Sequence, residues 1–149
     1  MTDSLRGIPD MTACPVEDRL AIQDLLVSYA HAVDSLHDLD GICAVFEEDA
    51  VFDLSGIGFP SLNGHGEIRK FFEDTFEAMA AHAHYLTNFA ITAYDGDTAS
   101  IRAYVIGMGK YKAGGGITVN GRYYFDVVRT AAGWKAKRYT MDFLIPIEG

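Results

Sequence analysis

Residues 83–111, AHYLTNFAITAYDGDTASIRAYVIGMGKY, decide the fold. Two runs rich in β-branched and aromatic residues flank Asp95-Gly96-Asp97, which reads as a tight turn between long strands. The texture repeats downstream. Gly114-Gly115-Gly116 and Ala131-Ala132-Gly133 punctuate two further runs, so strands are expected over roughly 83–94, 98–111, 117–130 and 134–145. Short turns between successive strands make an antiparallel meander.

Upstream the period changes. Pro15 with Glu17 and Asp18 suits a helix first turn, and Ile22, Leu25, Leu26, Tyr29, Val33 and Leu36 recur at helical spacing, with Asp34 on the flank of their stripe. Asp38 can cap a short second helix carrying Leu39, Ile42, Val45 and Phe46, although Gly41 weakens it. Residues 50–54 read as a strand that Gly56, Gly58 and Pro60 end. A third helix over about 67–79 places Ile68, Phe71, Phe72, Phe76 and Met79 on one side. Helices gathered in the first half and strands in the second predict an α+β layer arrangement. A strongly curved sheet with three helices across its concave face would enclose a pocket wherever the filling is incomplete.

The 149 residues suit one domain over 15–149 behind a flexible leader, 1–14, whose polar N-terminus has no apolar signal or membrane-spanning run. A formal charge of -9 with no basic cluster excludes nucleic acid and anionic membrane surfaces as partners. Cys14 and Cys43 read as free thiols in a reducing compartment, and a cytoplasmic location is expected.

His84 opens the first strand of the meander, and Tyr29 and Asp34 stand near the end of the first helix. A carboxylate that holds an imidazole in one tautomer and stabilises its protonated form makes it a usable general base, and a phenol can donate to a substrate oxygen. Each residue also has a plain structural reading: Asp34 as a solvated flank, His84 as a donor to a backbone carbonyl, Tyr29 as core. Asn88 shares strand parity with His84 and is a candidate donor. Arg138 and Arg122 offer positive charge, while Tyr104, Tyr123, Phe125, Met141 and Phe143 supply either a lining or an ordinary core. His82 and His84 lack a third ligand at recognisable spacing, so no metal is expected. His31, His37 and His65 read as surface residues. No nucleophile elbow, phosphate loop or dinucleotide fingerprint appears.

The order of two helices, a strand, a third helix and a four-strand meander resembles the nuclear-transport-factor-2-like cone fold, in its SnoaL-like branch, over about residues 15–146. Ala21-Ile22-Gln23-Asp24-Leu25 with Asp34, Glu48-Asp49-Ala50, His84-Tyr85 with Thr87-Asn88, and Gly133-Trp134-Lys135 are similar to the dehydrochlorinases of that branch. The spacing of Tyr29, Asp34 and His84 is similar to the bile-acid 7α-dehydratases. The resemblance implies an Asp34–His84 dyad that abstracts a C–H proton and expels a leaving group without a cofactor, with Tyr29 as the dehydratase phenol and Arg138 nearest to the dehydrochlorinase's last-strand cation. A second histidine that scytalone dehydratases carry on the next strand has no counterpart at Tyr104, Ile106 or Met108. The expected activity is dehydratase-type elimination on a small hydrophobic cyclic substrate. The alternatives are an isomerase or polyketide cyclase of the same fold, or a non-catalytic binding or assembly subunit. The resemblance further implies a homo-oligomer, a trimer or otherwise a dimer.

Overall fold

The computed structural model describes residues 13–147, so the leader expected over 1–14 lies outside the described residues except for its last two. Helix α1 spans Val16–Ser35 and starts directly after Pro15. Its acidic first turn is fastened to the sheet, because Asp18 accepts from the Tyr94 hydroxyl (2.5 Å) and from Arg129 Nη2 (2.7 Å). Those two donors hold the Asp18 carboxyl below its ordinary pKa. Leu36 closes the helix in the left-handed region at φ 61°. Helix α2, Leu39–Val45, is capped by Asp38, whose carboxylate accepts from the Gly41 N–H at 2.9 Å. The glycine that weakens this helix on propensity is required by the cap, since a Cβ at position 41 would stand 2.2 Å from Asp38 Oδ2.

Strand β1 covers Phe46–Asp53, a 3-10 turn covers Ser55–Ile57, and a short β2 covers Ser61–Asn63. Helix α3, Gly64–Ala78, follows, and places His65 in its first turn with Nε2 donating to Phe46 O at 2.8 Å rather than in a loop. The meander is β3 (Met79–Tyr94), β4 (Thr98–Tyr111), β5 (Gly116–Thr130) and β6 (Gly133–Ile145). Its strands pair antiparallel throughout, and the sheet order is β2-β1-β6-β5-β4-β3. The six-stranded sheet is curved, unclosed and mixed, because β1 lies parallel to β6, with Val51 opposite Arg138 and Asp53 opposite Thr140. Parallel pairing needs a long connection, here the whole span of α3 and the first three meander strands, and so leaves no local turn signal.

The three helices cover one face of the sheet. Tyr29, Phe46, Phe52, Phe72, Phe125 and Tyr139 meet at the centre of the core, where Phe52 stacks face to face on Tyr139 with centroids 4.0 Å apart and planes within 4°. The β4 residues Ala99, Ile101, Ala103 and Val105 alternate inward, so the residues between them face away from the helices. None of the helices is long and apolar enough to cross a membrane, among the described residues.

Candidate active site

The end of α1 and the start of β3 are joined through one carboxylate. Asp34 Oδ2 accepts from the His84 backbone N–H at 2.9 Å, and Asp34 Oδ1 accepts from His84 Nδ1 at 2.5 Å. Fifty residues separate the partners in sequence, yet the backbone bond sets the register of the carboxylate and the ring bond sets the rotamer of the imidazole. Because the carboxylate only accepts, neutral His84 carries its proton on Nδ1 and leaves Nε2 bare. The ring lies over Gly107 on β4: a Cβ there would be 3.1 Å from His84 Cδ2 and 3.2 Å from Nε2. Gly107→Ala would therefore push the imidazole by a few tenths of an ångström. Any turnover that depends on its placement should fall about tenfold with the melting temperature nearly unchanged, which steady-state kinetics beside a thermal melt will show.

His84 borders a cavity of about 200 Å³ between α1, α3 and the concave face of the sheet. Phe71, Phe72, Thr75 and Met79 form its α3 side, Val33 and Tyr29 its α1 side, and Val105, Val119, Tyr123, Tyr139 and Met141 its sheet side. The lining is apolar except for His82, His84, Thr75 and three phenols. Tyr139 packs against both Tyr29 and Tyr123, with ring centroids 5.8 and 5.2 Å away, so the three phenols form one electrostatically coupled cluster. Burial, the largest cause in each case, drives all three phenols well above their ordinary pKa, and the Asp34 charge adds to the rise at Tyr29 and Tyr123. They are neutral hydrogen-bond donors at any physiological pH.

Of the residues singled out by sequence, the structure brings Tyr29, Asp34 and His84 together, with Asp34 behind the imidazole rather than in the lining, and it adds Tyr123 and Met141 to the wall. The remaining candidates stand elsewhere. Asn88 is exposed and faces away, because a bulge between Thr87 and Ala90 interrupts the strand alternation and puts Asn88 at φ 54°. Arg138 is exposed and ion-paired with Asp53 at 2.8 Å across the parallel β1–β6 pair. Tyr104 falls on the outward parity of β4 opposite Arg122, and Arg122 itself pairs with Asp142. Phe125 is fully buried beneath the cavity, in contact with Tyr29, Phe46 and Tyr139. Phe143 continues the parity of Tyr139 and Met141 but lies beyond the cavity rim.

Among the liners that sequence reading did not single out as such are Tyr139 and His82. Tyr139 stands two residues before Met141 on the same face of β6, a parity signal that was present. His82 shares the face of His84, and its Nδ1 donates to Val33 O at 3.2 Å. Burial holds His82 below its ordinary value of 6.5. The unfolded chain therefore takes up a proton there that the folded chain resists. Stability from this group is complete above pH 6.5 and declines as the pH falls through the depressed folded pKa. Melts between pH 7 and 5 should show a smaller acid loss for His82→Gln than for the parent chain.

Among the described residues, no group of three or more His, Cys, Asp and Glu side chains is arranged as a metal centre. The profile of the SnoaL-like domain family matches residues 15–140. An uncharacterized protein of Mycobacterium tuberculosis is 33% identical over 133 residues, 86% of each chain. A solved structure from Novosphingobium aromaticivorans, provisionally assigned as an aromatic ring hydroxylase, is 65% identical, with a TM-score of 0.89 over 91% of this chain and 95% of that one. A second from the same organism, provisionally assigned as a scytalone dehydratase, is 21% identical, with a TM-score of 0.81 over 91% of this chain and 89% of that one, a likeness of fold.

Proposed function

The chain belongs to the SnoaL-like domain family, and from that premise we propose that it is a cofactor-independent lyase acting on a compact, largely apolar cyclic substrate. The observation that carries this reading is the double grip of Asp34 on His84, which leaves a bare Nε2 at the wall of a partly open apolar cavity. A cavity of about 150 Å³ lined by apolar side chains accepts benzene, so about 200 Å³ suits one substituted ring.

In the proposed reaction His84 Nε2 takes a proton from a ring carbon activated by a neighbouring carbonyl. The C–H electron pair becomes the new carbon–carbon double bond as the group on the adjacent carbon departs with its own bonding pair. Asp34 balances the imidazolium charge, and the buried phenols donate to the oxygen on which negative charge develops. When the leaving group is hydroxide, the imidazolium returns its proton and water is released. An isomerase or cyclase would use the same base without expelling anything, and a hydroxylase would add oxygen. Product mass separates them: loss of water or hydrogen halide supports the lyase, whereas an unchanged or increased mass refutes it.

The outward face of the sheet supports a reading of the oligomeric state. Tyr85 and Ile106, opposite one another on β3 and β4 at outward parity, expose large apolar side chains there. We propose a homo-oligomer in the cytoplasm, a trimer by family resemblance and a dimer otherwise. Sedimentation at micromolar concentration should give a multiple of the 16.3 kDa chain mass, and a monomer would reject the assembly.

A further inference from the structure

β3 places a second imidazole beside the dyad. The rings of His82 and His84 have centroids 5.5 Å apart with planes at 87°, and both border the cavity. Each is seated against a glycine of β4. A Cβ at Gly109 would stand 2.4 Å from Met79 Cε and 3.2 Å from His82 Cδ2, as one at Gly107 would crowd His84. Each also has its Nδ1 engaged by an acceptor at the end of α1: the Asp34 carboxylate for His84 and the Val33 carbonyl for His82. A carbonyl oxygen has no proton to give, so Nδ1 of His82 is the protonated nitrogen and Nε2 carries a free lone pair. No side chain or backbone group among the described residues bonds that lone pair.

A role confined to satisfying the α1 carbonyl would account for the Val33 bond. It would not account for the ring's place in the cavity wall beside His84. The depressed pKa of His82 keeps it an acceptor beside an imidazole that must itself gain a proton.

We propose that His82 is a specificity-determining residue whose Nε2 accepts a hydrogen bond from a hydroxyl on the ring held in the cavity. The ligand class is then a cyclic alcohol or phenol, its O–H directed at His82, with the carbon that faces His84 on the same ring. The phenol cluster of Tyr29, Tyr123 and Tyr139 donates to an acceptor oxygen, so the cavity reads both kinds of oxygen with separate groups. This deepens the lyase reading by naming a substrate feature. It rests on the cavity being the ligand site and not on proton abstraction at His84.

The test uses the full chain labelled with ¹⁵N and imidazole-nitrogen NMR, with phenol and anisole as probes of equal ring size that differ in the O–H. His82 is expected to show a protonated Nδ1 and a bare Nε2. Phenol should move the Nε2 signal upfield, and anisole should leave it. Phenol should also bind about two- to tenfold more tightly than anisole, the usual net worth of one hydrogen bond. His82→Gln, which keeps a donor and an acceptor, should retain much of that preference, and His82→Phe should erase it. His84→Gln should leave the preference in place while removing turnover, so loss of the lyase reading and loss of this one give different results. An Nε2 signal that phenol does not move, a preference that survives His82→Phe, or failure of both probes to bind would overturn the assignment.

Discussion

His84→Gln abolishes turnover while the fold and ligand binding persist: that is the expected result if Nε2 is the base. The amide keeps polarity and approximate size, and it can still donate to Asp34, but it has no usable basicity at neutral pH. General-base transfer contributes about 10²–10⁴-fold, and the loss should reach at least that range. Asp34→Asn should cost less, yet still orders of magnitude. It withdraws the counter-charge from the imidazolium and replaces one of two accepting oxygens with an amide donor, which disturbs either the backbone bond at 2.9 Å or the ring bond at 2.5 Å. Tyr29→Phe should cost least, about 10–100-fold, because Tyr139 and Tyr123 remain as donors beside it. The order of the three variants, read as kcat on one substrate with melts alongside, is the measurement. Parental rates in His84→Gln would overturn the mechanism. Equal losses in all three with lowered melting temperatures would indicate a structural polar cluster instead.

The residues behind that ordering were legible to different degrees. Asp34 and His84 could be matched because Asp34 stands at the end of the apolar stripe of α1 and His84 in the β-branched and aromatic run of β3, ahead of its bulge. Turn signals placed the bounds of the meander strands to within one residue where Gly96, Gly114, Gly115 and Gly133 adopt positive φ angles, whereas β3, which no such turn precedes, starts at Met79 rather than near residue 83. Asn88 was misplaced for the opposite reason. Parity assumes an uninterrupted ladder, and the bulge between Thr87 and Ala90 turns the chain by one residue without any glycine or proline to announce it. Arg138 was misplaced because its partner, Asp53, belongs to β1, and the parallel β1–β6 pairing joins segments that no local pattern connects. In the sequence His82 stands out only as a possible metal ligand beside His84. Its position in the wall depends on where α1 ends against β3, a tertiary fact set by Leu36 and the Val33 carbonyl.

Phe52→Ala is expected to give the largest loss of stability. Phe52 is 1% exposed, stacks on Tyr139, and meets Phe46, Tyr29, Phe71 and Phe72 at centroid distances of 5.6–6.3 Å. Truncation removes the transfer free energy of a whole ring and leaves a void, a change that costs about 3–5 kcal/mol in other cores. For a chain of this size that corresponds to a fall of about 6–20 °C in melting temperature. The position of the ring makes the outcome more specific than a core deletion. Phe52 also borders the ligand cavity, so the void would open into existing space rather than close over as a sealed hole. Two consequences separate this from ordinary loss of packing. Benzene, which fits an apolar void of such a size, should recover part of the lost melting temperature in Phe52→Ala and raise that of the parent chain less. Phe125→Ala should be destabilised to a similar degree but without the same benzene recovery, since Phe125 is fully buried and contributes no surface to the cavity. If benzene rescues both variants equally, the wall assigned to Phe52 is not a boundary of the ligand site and the cavity must be redrawn.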